Sequence, residues 1–341
     1  MKRTILILFL LLFSGMSGWA RDHSSFSFHV ASNFGIFSPK EGDPISLVYP
    51  LLIDSQGRRT GYNPVDTSAP PFAEIPGSSA GGERIDSDVS EELGTDIVII
   101  AVSATPTGRY AIQPVPAGNY SLIIFSTVSY GVAYSFGADI TDSSGHDESS
   151  GNITTQGFLS PGMTATYTIN YNPAPGSAVT VIKTVTFAIL RQELQAAFQL
   201  GQIGDAKFVK HLDKILAEGE KALAPKPEEK REAGKAQEHK QGREKPNKKK
   251  AIEKLKEFIH QLEEAARTEP QKKHGDGQFK KDDRGDHDRD HEHKPERFVT
   301  VIALKSLTDD ARTLITQLGG KPEGDHNDRG QDHGDHDNKN H

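Results

Sequence analysis

The sequence predicts an α+β protein, an antiparallel β-sandwich followed by an antiparallel four-helix bundle that carries disordered charged insertions. Three observations lead there. Before Val185 the apolar residues recur at every second position, in short runs broken by Gly, Pro, Asn and Ser. After it they recur every third or fourth position, and the stretches between those later runs are too charged to bury a face. At 341 residues the chain has room for about two domains of ~100–200 residues each.

The order of elements begins with a leader. Lys2 and Arg3 precede an apolar run from Ile5 to Phe13, and Gly18 and Ala20 place small residues at a cleavage position, so residues 1–20 are expected to be a cleaved signal peptide. The mature chain is then expected to be secreted or periplasmic, and no later segment is apolar enough to span a bilayer. Residues 26–183 form the expected sandwich. Ile97 to Val102, Tyr120 to Phe125, Val132 to Ile140 and Thr164 to Tyr171 read as strands; in the last, Ala165, Tyr167, Ile169 and Tyr171 share one face and the threonines and Asn170 the other. The runs 117–125 and 128–136 look like partners in one hairpin, and Leu51 to Ile53 leads into a turn over Asp54 to Gly57. Asn63 to Glu92, rich in Pro, Gly, Ser and Asp, is expected to be a long connection across one end.

Residues 184–320 form the expected bundle. Its four apolar stripes are Phe187, Leu190, Leu194, Ala197 and Phe198; then Phe208, Val209, Leu212, Ile215, Leu216 and Leu223; then Ile252, Leu255, Phe258, Ile259 and Leu262; then Phe298 to Leu318. Disordered insertions are expected at 225–250 and 269–296, and a disordered His/Asp-rich tail at 321–341.

Two resemblances accompany this division. Asp54 to Val65, Glu74 to Ser78, Ile85 to Val89 and Gly118 to Leu122 resemble a β-sandwich module of secreted bacterial proteins, of the pre-peptidase C-terminal type. Gly201 to Asp205, His211 to Leu216, Lys254 to Leu262 and Ala311 to Ile315 are similar to the FIMAH domain, a helical module at the C-terminus of extracellular bacterial proteins. The resemblances imply an accessory or adhesive role, with the sandwich contacting an extracellular protein or a carbohydrate.

Composition narrows the chemistry. Forty basic against 47 acidic side chains leave a net charge of -7, which argues against a chain-wide surface for nucleic acid or anionic membrane. Without cysteine there are no disulfides, thiolate metal sites or thiol nucleophiles. No Gly-x-Ser-x-Gly elbow, His-Glu-x-x-His pair, Walker loop or dinucleotide fingerprint is present, so a non-enzymatic protein is expected, with a secreted enzyme of unrecognised type as the lesser alternative. The basic run 225–250, including Lys248 to Lys250, reads as solvated linker. His211 and His260 read as helix surface.

Histidine placement is the most distinctive feature. His274, His287, His291 and His293 lie in one charged stretch with Asp288 and Asp290, and His326, His333 and His336 lie in the tail with Asp335. Neutral imidazole and carboxylate are ligand types that Zn, Ni and Cu accept, which makes these ten residues the candidate divalent-metal ligands. The competing expectation is a solvated spacer with no ligand. In an up-down bundle the 269–296 segment and the tail leave opposite ends, while the tail leaves beside the 225–250 linker. Calcium is a weaker expectation at Ile85 to Asp88 and Asp139 to Glu148, where turn-forming Asp and Ser suffice as an explanation.

Overall fold

Period-two alternation produces two antiparallel sheets packed face to face. The computed structural model describes residues 22–33, 47–85, 95–106, 112–145, 153–177, 179–224, 246–267 and 297–322. The strands, in chain order, are β1 (Ser25–Asn33), β2 (Val48–Ile53), β3 (Arg59–Gly61), β4 (Phe72–Ala73), β5 (Ser78–Ile85), β6 (Thr95–Ser103), β7 (Thr105–Pro106), β8 (Ile112–Gln113), β9 (Gly118–Ser126), β10 (Val132–Thr141), β11 (Ile153–Leu159), β12 (Thr164–Tyr171) and β13 (Thr180–Lys183). One sheet has the order β11-β10-β1-β6-β5 and the other β13-β12-β9-β2-β3-β4, with β7 and β8 as a separate short pair.

Every second residue of the inner strands enters the space between the sheets. Phe26, Phe28 and Val30 of β1 and Tyr134, Phe136, Ala138 and Ile140 of β10 meet Tyr120, Leu122 and Ile124 of β9 and Ala165, Tyr167, Ile169 and Tyr171 of β12. Aromatic rings dominate this layer: Phe26 lies edge-on to Tyr120 and Tyr171 at centroid distances of 5.1 and 5.0 Å, and Phe136 lies 4.9 Å from Tyr167. The Tyr120 hydroxyl donates to the Pro116 carbonyl at 2.6 Å, so the strand start is pinned to the chain four residues upstream.

Two expectations are corrected. The runs 117–125 and 128–136 do not form a hairpin: β9 pairs with β2 and β12, whereas β10 pairs with β1 and β11 in the opposite sheet. Both flank the same core, and burial is satisfied equally well by crossing between layers. The described part of the Asn63 to Glu92 connection, residues 63–85, is also more ordered than its composition suggests. Its second part is the edge strand β5, in register with β6 from Ser78 opposite Val102 to Ile85 opposite Thr95, and Ile75 ahead of it is buried. Gly81 and Gly82 are acceptable there because an edge strand needs backbone pairing more than side-chain packing.

The helices are α1 (Phe187–Gln199), α2 (Ala206–Leu223), α3 (Lys248–Arg267) and α4 (Val301–Gln317). Thr186, Asp205, Asn247 and Thr300 cap their N-termini by accepting from Ile189 N, Lys207 N, Lys250 N and Ala303 N. Lys248 to Lys250 therefore belong to the first turn of α3 and not to the linker, because Asn247 after Pro246 starts the helix there. Successive helices are joined by ion pairs: Arg191 meets Asp213, Lys254 meets Glu218, and Arg312 meets Glu263. All four contribute to one apolar core, but that core also contains Ala133 of β10 and Phe158 of β11. The expected bundle is thus not self-contained. Along β11, Leu159 turns into the sandwich and Phe158 toward α1 and α4, so one edge strand serves two cores.

Gly157 of β11 has no room for a side chain, since a Cβ would overlap the Tyr134 ring, whereas a Cβ at Gly137 would meet nothing within 4 Å. Gly157→Ala is expected to lower stability by about 1–3 kcal/mol through overpacking. Gly137→Ala should stay within about 0.5 kcal/mol of wild type. Urea unfolding followed by circular dichroism compares the two.

Candidate functional site

The candidate metal ligands His274, His287, Asp288, Asp290, His291, His293, His326, His333, Asp335 and His336 all lie outside the described residues. Among the described residues no three His, Asp or Glu side chains gather as metal ligands. Of the calcium stretches, Asp86 to Asp88 and His146 to Glu148 also lie outside them. Asp142, in the described part, is a buried turn residue whose Oδ1 accepts from Ser144 N at 2.8 Å and Ser144 Oγ at 2.6 Å. His211 and His260 are exposed on their helices. No helix of the described residues is long and apolar enough to cross a membrane.

On the outer face of the first sheet, His29 Nε2 lies 2.8 Å from Asp139 Oδ2 and 3.0 Å from Ser27 Oγ. Both partners use the same ring nitrogen, so this is not the relay in which carboxylate and hydroxyl occupy opposite nitrogens of a base. It is a surface polar cluster on a two-residue strand spacing.

A second cluster was not anticipated from sequence. Lys183, the last residue of β13, is buried where the sandwich meets the helices. Its ammonium donates to Glu193 Oε1 of α1 and to Asp310 Oδ2 of α4, both at 2.6 Å. The three side chains are 5%, 1% and 6% exposed, so this ion trio is effectively dry. Next to it, Tyr134 and Tyr167 share a hydrogen bond of 2.8 Å between hydroxyls. Local backbone contacts hold the arrangement: Gln317 Nε2 donates to the Lys183 carbonyl, Ser306 Oγ to Gln156 O and Ser160 Oγ to Gln192 O.

The electrostatics follow from burial. Burial disfavours the Lys183 ammonium, but the Glu193 carboxylate, with Tyr134 and Asp310 beyond it, holds its pKa well above the ordinary value. Glu193 is pushed well above the carboxylate range by burial first and by the adjacent Asp310 second, with Lys183 opposing. One ammonium faces two carboxyls, so the raised pKa of Glu193 reflects the surplus of negative charge in the dry cluster. Glu193 Oε2 nevertheless has no hydrogen-bond partner among the described residues.

A sequence signal for this site existed in the phase of the pattern. Lys183 falls between Val181 and Val185 on the alternating face, Glu193 falls within the Leu190, Leu194, Ala197 stripe, and Asp310 falls within Leu307, Ala311, Leu314. A charge in an apolar phase predicts a partner, though not which one.

By architecture, the chain belongs to the class of two-sheet antiparallel sandwiches whose edge is covered by a helical layer. Comparison with protein-family models, curated proteins and solved structures returned no match.

Removing the cation alone should be far worse than removing the whole cluster. Lys183→Met is expected to cost about 3–5 kcal/mol, because two buried carboxyls lose their partner, and Lys183→Met/Glu193→Leu/Asp310→Leu should regain most of it. Denaturant midpoints of the two variants test this.

Tyrosine titration supplies a second expectation. Burial pushes the Tyr120, Tyr167 and Tyr171 phenols up to about 12 and holds Tyr134 well above its ordinary value. The folded chain therefore keeps phenol protons that the unfolded chain releases above pH ~10. This stabilisation is complete below that pH and is lost as pH rises toward about 12, so tyrosinate absorbance should appear together with loss of sheet signal in an alkaline titration.

Proposed function

We propose that the chain is an exported, non-enzymatic accessory protein whose rigid body displays His/Asp-rich segments that bind divalent metal, while its sandwich contacts an extracellular protein or carbohydrate. One placement carries this reading. All three charged segments attach to the helical layer, at points held by specific contacts. Asn247 N donates to Ala222 O at 2.9 Å, so the 225–245 segment leaves and returns at one spot. A Cβ on Gly320 would approach Ile252 Cδ1 to 3.0 Å, which places the start of the tail at that same end. The 268–296 segment departs from the other end. It re-enters where the Arg297 guanidinium lies 4.8 Å over the Phe208 ring and Val299 bridges Ile203. The two His-rich segments thus start far apart and act as separate chelators with modest affinity, since each must lose backbone freedom on binding.

The body supports a display role. Tyr134, Phe136, Tyr167 and Phe158 fill the interior, and the buried charges are consumed in joining layers. Polar and aliphatic side chains share the outward face of the first sheet, where Ser27, His29 and Asp139 sit beside Ile97 and Ile99; this is the face assigned to the extracellular partner.

Calorimetric titration of Zn, Ni and Cu salts tests the reading on wild type and two variants. In one, His274, His287, His291 and His293 become Ser; in the other, His326, His333, His336 and His341 do. Each variant should lose part of the binding heat, and wild-type affinity should fall in mild acid as the imidazoles protonate near pH ~6.5. Identical weak heats from all three proteins would leave the segments as solvated spacers and overturn the metal assignment.

A further inference from the structure

The dry trio of Lys183, Glu193 and Asp310 has the composition of a self-condensing site. An amine nucleophile, a carboxyl electrophile and a second carboxyl that relays protons lie within bonding reach of one another, in a pocket closed to water by Tyr134, Tyr167 and the helices. We propose that Lys183 Nζ and the Glu193 side-chain carboxyl join in an intramolecular amide, with Asp310 as the catalytic proton acceptor.

The step balances without any co-reactant. The step proceeds from the form of the cluster that holds one ammonium and a single proton shared by the two carboxyls, with that proton on Glu193. The ammonium passes a proton to Asp310 across 2.6 Å, which yields a neutral amine and two neutral acids. In a low-dielectric interior this neutral arrangement competes with the ion pair, because separated charge is no longer solvated. The amine lone pair then attacks Glu193 Cδ, whose nearer oxygen is 2.6 Å from Nζ. Asp310 protonates the departing hydroxyl, which leaves as water, and takes back the proton released by nitrogen. The products are an amide N–H, one water and a neutral Asp310, so no atom, charge or electron is left over.

Two observations select Glu193 as the acyl partner. Its carboxyl lies 2.6 Å from Lys183 Nζ across the sheet–helix junction, and burial with the adjacent Asp310 pushes its pKa well above the carboxylate range, which favours the acid form that can expel water. Its Oε2 is buried without a hydrogen-bond partner among the described residues, an unfavourable arrangement that disappears when one oxygen of that carboxyl departs. The product also removes every formal charge from the dry pocket. In a chain with no cysteine, it supplies a covalent tie between sheet and helix that needs no oxidant.

Intact mass spectrometry of the full chain tests this, followed by digestion and fragmentation. The expected result is a mass one water below that calculated for the sequence from the chain's observed N-terminus, with a peptide pair joined between Lys183 and Glu193. Lys183→Arg, which keeps the cation and lacks a nucleophilic amine, should show the unmodified mass, and Asp310→Asn should too, with the wild-type measurement standing even if a variant folds poorly. A wild-type chain at that full calculated mass would overturn the crosslink and leave an ion trio. A link from Lys183 to residue 310 would overturn the choice of Glu193, and a crosslink persisting in Asp310→Asn would overturn the relay.

Discussion

A cation placed in a dry interior must be met by a carboxylate within hydrogen-bond distance, and that requirement organises this molecule. Lys183 closes the sandwich side, while Glu193 and Asp310 arrive on two helices separated by more than a hundred residues of chain. Apolar surfaces tolerate sliding, because contact energy depends on area more than on alignment. A buried ion trio does not, because a small separation leaves charges unsolvated. The helical layer is therefore held at one position on the sheet edge, and Phe158, Ala133 and Val185 pack in the geometry that the trio sets.

The surface charges contrast with this cluster. Arg191 with Asp213 and Glu220, and Lys254 with Glu218, join neighbouring helices while remaining partly exposed, where solvent screens the attraction and leaves each pair little weight. They tune which helices are adjacent but do not hold the layers together.

Local patterns were legible to the extent that one element's own environment explains them. The strand through Thr164 to Tyr171 shows the expected alternation, because one face meets the core and the other water. All four helical stripes became helices, with starts set by Thr186, Asp205, Asn247 and Thr300. Asp205 does so at φ 66, an unusual left-handed conformation for a residue other than glycine, made tolerable by its short side chain bonding to Lys207 N. Pairing was less legible. The turn between 125 and 132 could have closed a hairpin, yet β9 and β10 found better partners in opposite sheets, and β5 formed from a Gly-rich stretch because β6 offered it an open edge.

From the order of residues alone come the identity and approximate limits of most strands and helices, the absence of thiol chemistry and the concentration of histidine and aspartate in two stretches of the sequence. Those properties depend on spacing of one to four residues and on composition. Strand order, the sharing of β11 between two cores and the meeting of Lys183 with Glu193 and Asp310 required the folded chain. The physical reason is range: burial of a face is a local demand that any apolar partner satisfies, whereas the choice among distant partners is made by the packing of the whole.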